Sequence, residues 1–108
     1  MSIEYDTKIA YGFDTKKFLD EEENKALFYR WEKEGLVCVV GGNNWSGKLK
    51  TFLAIKSSVI KNDNTDGEIF RIDLIHPKKE EIENIRDACN ELGLQVEDIG
   101  WHIINSVF

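Results

Sequence analysis

Residues 2–13, SIEYDTKIAYGF, alternate almost without a break: Ile3, Tyr5, Thr7, Ile9, Tyr11 and Phe13 fall on one side, Ser2, Glu4, Asp6, Lys8, Ala10 and Gly12 on the other. A period of two held this long predicts a strand with one face in a core and one in water. A wet face favours an antiparallel or mixed sheet over a parallel one covered on both sides. Beyond it, Asp14 or Thr15 can cap a helix running to about Glu34, with Gly35 as its stop. The stretch DEEEN at 20–24 interrupts the apolar positions, so the helix can also fall into two pieces: a turn around Phe18 and Leu19, then a helix carrying Ala26, Leu27, Phe28, Tyr29 and Trp31. Those five exceed one narrow stripe, which predicts at least one exposed aromatic among Phe28, Tyr29 and Trp31, available to a partner. The plainer expectation leaves Tyr29 and Trp31 on neighbouring loops with their polar tips wet.

Leu36–Val40 is β-branched and continuous, as in a strand central to a sheet. Residues 49–59 alternate Leu49, Thr51, Leu53, Ile55, Ser57 and Val59, which predicts its hairpin partner. A polar turn, KNDNTDG at 61–67, leads into a further strand, GEIFRIDLI at 67–75. Pro77 suits a first helical position, Ile82, Ile85, Cys89 and Leu92 form an apolar stripe with Ala88 beside it, and Gly93 ends the helix. The closing WHIINSVF carries apolar groups on both sides, which places that strand inside the sheet or at a partner contact. The order β-α-β-β-β-α-β predicts one α+β domain over 1–108. It is a two-layer sandwich in which two helices cover one side of a five-stranded mixed or antiparallel sheet. The nearest familiar topology is a ferredoxin-like core with one additional strand.

Composition narrows the class. A chain of 108 residues, 42% hydrophobic and 11% aromatic, supports a single core. It has no 18-residue apolar run and no charged-then-apolar leader, so a soluble cytoplasmic protein without membrane association is expected. The net charge of −6 is uneven: residues 1–34 sum to −3, residues 35–61 carry four lysines and no acid, and residues 62–108 sum to −7. A basic hairpin between acidic segments argues against direct nucleic-acid binding, which needs a phosphate-neutralising surface, and suits a protein partner better.

Candidate chemistry centres on the 41–50 loop. Gly42–Lys48 matches the G-x-x-x-x-G-K of a phosphate-binding loop and follows a strand. Leu49 stands where magnesium-binding Ser or Thr belongs, and the residues after it alternate as a strand, so the helix that would cradle a phosphate is not expected. A looser reading keeps Asn43, Asn44, Trp45, Lys48 and Lys50 as a binding set, an aromatic anchor with cationic neighbours suited to a small anionic ligand or an acidic partner surface. Asp63 and Asp66 lack calcium-loop spacing, and Asp20–Glu23 point round a helix rather than converge, so no metal and no cofactor is expected. Cys38 and Cys89 read as small buried hydrophobes. His76 and His102 stand at no motif spacing to a nucleophile, so the chain does not read as an enzyme.

The opening IEYDTKIAYGFD, the short apolar strand in mid-chain and the ending WHIINSVF resemble small uncharacterised proteins encoded by bacteriophages and prophages. The resemblance covers mainly the first strand and the general layout, and carries over no functional residue. It implies a non-enzymatic protein-binding module, of the kind that inhibits a host or defence protein, with the acidic 62–108 portion facing a basic channel. The alternative is a domain that binds or sequesters a small anion through the 41–50 loop. A homodimer is compatible with a small aromatic-rich chain.

Overall fold

The computed structural model describes residues 5–43, 46–61 and 76–107. Among these residues, five strands and two α-helices form an α+β fold: β1 (Tyr5–Asp14), α1 (Lys25–Lys33), β2 (Leu36–Asn43), β3 (Lys48–Ile55), β4 (Ile60–Lys61), α2 (Lys79–Glu91) and β5 (Gly100–Val107). The expected strand over 67–75 lies outside the described residues. Among those described, no helix is long and apolar enough to cross a membrane.

β1 organises the sheet because it is paired on both edges. One edge runs against β5 from Tyr5↔Val107 to Gly12↔Gly100. The other meets β3 at Gly12↔Ala54 to Asp14↔Phe52, and β4 at Lys8↔Lys61 and Ile9↔Ile60. The alternation over 49–59 therefore does not continue as one regular strand: Lys56–Ser58 fold into a 3-10 turn, and pairing resumes three residues out of step. Ser58 holds this bulge closed, its hydroxyl accepting from Tyr11 N–H (2.9 Å) and donating to the Ile55 carbonyl (2.6 Å).

The pairings β5–β1, β1–β3 and β3–β2 are all antiparallel and run in the order β5-β1-β3-β2, to which the ferredoxin-like core is an analogy. Two pairings lie outside it, the short β1–β4 ladder and a seam between β2 and β5. Gly42 and Asn43 of β2 run parallel to Ser106 and Val107 of β5. In a flat sheet of this order β2 and β5 would run in opposite directions, so the outer half of the β2–β3 hairpin has curled back over the sheet. The Ser106 hydroxyl reinforces this two-residue seam by donating to the Val40 carbonyl (2.6 Å).

The roll explains a difference from the sequence expectation. On the side of β1 expected to face water, Asp6 and Lys8 remain partly exposed, but at Ala10 and Gly12 the sheet itself covers it, so Ala10 and Phe13, on opposite faces, are both 1% exposed. A small core of Ala10, Val39, Ala54 and Ile104 fills the concave face, with Val37, Phe52 and Val59 around it. A side chain at Gly12 would meet the Leu53 carbonyl oxygen at 2.0 Å, so the close approach of β1 and β3 requires glycine there. The larger core lies under the helices, where Trp31 of α1 and Ile85, Ala88 and Cys89 of α2 meet Phe13, Leu36, Leu53 and Ile55. The apolar stripe of α2 is as expected, although the helix begins at Lys79, two residues after Pro77.

Candidate functional site

The segment between β1 and α1 is not the start of a helix. Asp14 and Thr15, the expected caps, are engaged elsewhere: Asp14 Oδ1 accepts from Lys16 N–H (2.7 Å), and the Thr15 hydroxyl donates to the Thr51 carbonyl (2.6 Å). Lys16 sits at φ 67°, a left-handed kink that turns the chain. Thr51, buried on β3, then pins the next residues, donating its N–H to the Lys17 carbonyl (2.9 Å) and accepting from Leu19 N–H on its Oγ1 (2.9 Å). The Asp20 carboxylate accepts from the N–H groups of Glu22 and Glu23, forming a turn before α1 starts at Lys25. Residues 15–24 therefore read as the two-piece alternative, with Phe18 and Leu19 laid beside β3 rather than wound in a turn.

This placement creates an apolar cleft of about 430 Å³ on the helix-bearing face. Phe18, Leu19 and Glu21 form one wall, Phe28, Trp31 and Glu32 of α1 the other. Leu36, Cys38 and Val40 of β2 form the base with Thr51, and Val37 and Lys56 close the list of lining groups. The volume is within the range of sites that hold a small molecule or a few side chains. Phe18 is 49% exposed and Tyr29 62% exposed. Tyr29 belongs to a shallower depression that shares Glu21, Phe28 and Glu32 with the cleft, so one aromatic surface continues around α1.

The aromatics of α1 divide as the crowded stripe predicts, with a correction at Trp31. Tyr29 faces outward, its ring 4.5 Å from the Lys33 ammonium. Trp31 does not rest with a wet tip: it is 1% exposed, stacked on Phe28 at 5.8 Å, and its Nε1–H has no acceptor among the described residues. An unpaired buried donor of this kind costs about 1–3 kcal/mol. The large ring fills the core between α1 and the sheet.

Both walls of the cleft carry a carboxylate, Glu21 before α1 and Glu32 on it. Glu21 and Glu32 line both depressions, with exposed Asp20, Glu22 and Glu23 beside them, while Lys25 and Lys56 are the lining cations. Cys38 registers this field. Burial first, and the nearby Glu21 carboxylate second, push its thiol up to about 11, so it stays protonated at neutral pH and is unsuited to act as a nucleophile. Cys89 is fully buried in the helix-side core, as expected. His76 is exposed, and His102 Nε2 lies 3.1 Å from the Asp98 carbonyl. Among the described residues no group of His, Cys, Asp and Glu is arranged to hold a metal.

The binding set read from the 41–50 loop is arranged differently. Asn44 and Trp45 lie outside the described residues. Asn43 ends β2 opposite Lys48, which opens β3, so the phosphate-loop-like stretch turns a hairpin rather than entering a helix. Asn43 Oδ1 accepts from Ser46 N–H (3.4 Å), and Lys50 pairs with Asp14 at 3.6 Å. Asn43, Lys48 and Lys50 do not line the cleft. Sequence reading missed Phe18, Leu19, Glu21, Glu32 and Cys38 as one site. The available signal was the excess of aromatics next to the acidic run at 20–23. Compared with protein-family models, curated proteins and solved structures, the chain matches none.

Proposed function

We propose that this chain is a non-catalytic protein-binding module whose docking surface is the cleft between residues 18–21 and α1. The observation that carries the reading is an apolar cleft edged by a half-exposed phenylalanine and continuous with an exposed tyrosine. Exposed aromatics around a concavity are what an interface hot spot needs. The protonated thiol of Cys38 at its base supports binding over thiol chemistry. The sequence resemblance to phage proteins suggests the partner's setting, a bacterial host or defence protein that the chain would inhibit by occupying a surface. The loop reading ranks second, because Lys50 is already engaged by Asp14 and the Asn43 carboxamide by Ser46.

The test is capture from bacterial lysate on immobilised chain, comparing wild type with Phe18→Ser and with the Lys48→Glu/Lys50→Glu pair. The expected result is a stoichiometric protein retained by wild type and by the lysine pair but lost from Phe18→Ser. Loss from the lysine pair alone would move the site to the loop, and retention by all three would overturn the cleft as the docking surface.

A further inference from the structure

The cleft has a polarity that an apolar groove alone would not have. Glu21 on the 18–21 wall and Glu32 on α1 flank it and are shared with the depression around Tyr29, Asp20, Glu22 and Glu23 extend the Glu21 edge into solvent, and the lining cations are Lys56 in the cleft and Lys25 in the depression. The base, built of Leu36, Cys38, Val40 and Thr51, brings no charged side chain. Glu21 and Cys38 line the same cleft, and the Glu21 carboxylate adds to burial in keeping the thiol protonated. The turn made by Asp20 with the N–H groups of Glu22 and Glu23, and the two hydrogen bonds to Thr51, hold the acidic edge in place before any partner arrives. A pre-ordered edge lowers the entropy lost on binding.

Resting on the reading of the cleft as a protein-docking surface, we infer that its occupant is a short partner segment carrying a large apolar side chain next to lysine or arginine. The apolar group enters between Phe18 and Phe28 over Cys38, and the cation reaches Glu21 and Glu32. Arginine is favoured over lysine, because its planar fork can engage carboxylates and stack on an exposed aromatic face such as Phe18. An acidic segment would bring like charge against Glu21 and Glu32 and is rejected.

Fluorescein-labelled dodecapeptides with a central leucine or tryptophan, flanked by Arg, Lys, Ser or Glu, test this by fluorescence anisotropy against the intact chain. The expected result is binding of the Arg- and Lys-flanked peptides at least tenfold tighter than the Glu-flanked ones, weakening as salt is raised. The double variant Glu21→Lys/Glu32→Lys should invert the order. These side chains are exposed or at the surface, and a circular dichroism melt checks that the variant is folded. Equal binding of all flanking charges would overturn the inference and leave the docking reading intact. Binding of none of the peptides would also overturn it. If, in addition, the protein captured from lysate is insensitive to Phe18→Ser, the docking reading fails as well.

Discussion

Trp31 and Cys38 meet at the cleft and are both shaped by burial. Trp31 buries an indole N–H that finds no acceptor among the described residues, so what it contributes there is packing. Trp31→Phe keeps an aromatic ring against Phe28 and removes the unpaired donor, and is expected to lie within about 1 kcal/mol of wild type in urea unfolding. Trp31→Ala, which opens a cavity, should cost about 3–5 kcal/mol. A Trp31→Phe loss as large as that of alanine would mean the N–H is satisfied after all. At Cys38 the folded thiol holds its proton more tightly than an unfolded one, whose pKa is about 8.5. The resulting stabilisation is complete below about pH 8.5 and is lost as pH rises towards 11. Crowding of aromatics on α1 was visible in the sequence. Which ring turned inward was not, because that depends on Phe18 and Leu19 arriving from another segment.

The elements divide between those set by local pattern and those set by distant partners. β1, β2 and α2 follow from alternation and an apolar stripe, and the helix stops at Gly35 and Gly93 stand where expected, both in the left-handed region. Residues 14–24 do not, since Asp14 and Thr15 have the chemistry of helix caps but are taken by the Lys16 turn and by Thr51. A side chain's capping ability is local, whereas the competing carbonyl of Thr51 lies 36 positions away. Thr51→Val keeps the shape but removes the acceptor for Leu19 N–H. It should cost about 1–3 kcal/mol, or else release residues 17–21 and weaken partner binding by more than it lowers stability. Hydrogen exchange at Leu19 and a binding titration check this together. Unchanged exchange would contradict the role of Thr51.

The bulge between β3 and β4 is tied to α2 in the same cross-chain way. Ser57 Oγ donates to Glu81 Oε2 (2.6 Å), and Lys78 N–H donates to Glu81 Oε1 (2.9 Å). These bonds, Ser57 first, hold the Glu81 carboxyl below its ordinary value. A depressed carboxylate stabilises the fold above the unfolded pKa of about 4.3, and that stabilisation is lost as pH falls through the lower folded value. Glu81→Gln should therefore be less stable than wild type at pH 7, with the gap closing in acid. A gap that stays constant down to pH 2 would show that the carboxylate is not the cause.

At the scale of the whole molecule, the sheet is rolled so that its two faces serve different ends. The concave face is sealed by small residues, Ala10, Gly12, Gly41 and Ala54, and by the short β2–β5 seam. The helix-bearing face carries the main core and the cleft. Alternation in β1 was legible, and it identified the inward and outward sides of a flat sheet. It carried no information on closure, because a hairpin that turns back onto the same sheet is recorded only in the size of residues far apart in the chain. The same holds for the cleft, whose walls come from 18–21, α1 and β2. The most direct measurement of the central claim is the alkylation rate of Cys38 at pH 9, read by mass spectrometry with Cys89 as the buried internal reference. Free chain and chain saturated with its captured partner or best-binding peptide are compared. If the cleft is the docking surface, bound Cys38 should react at least tenfold more slowly. An unchanged rate in the saturated complex would place the partner elsewhere on the molecule.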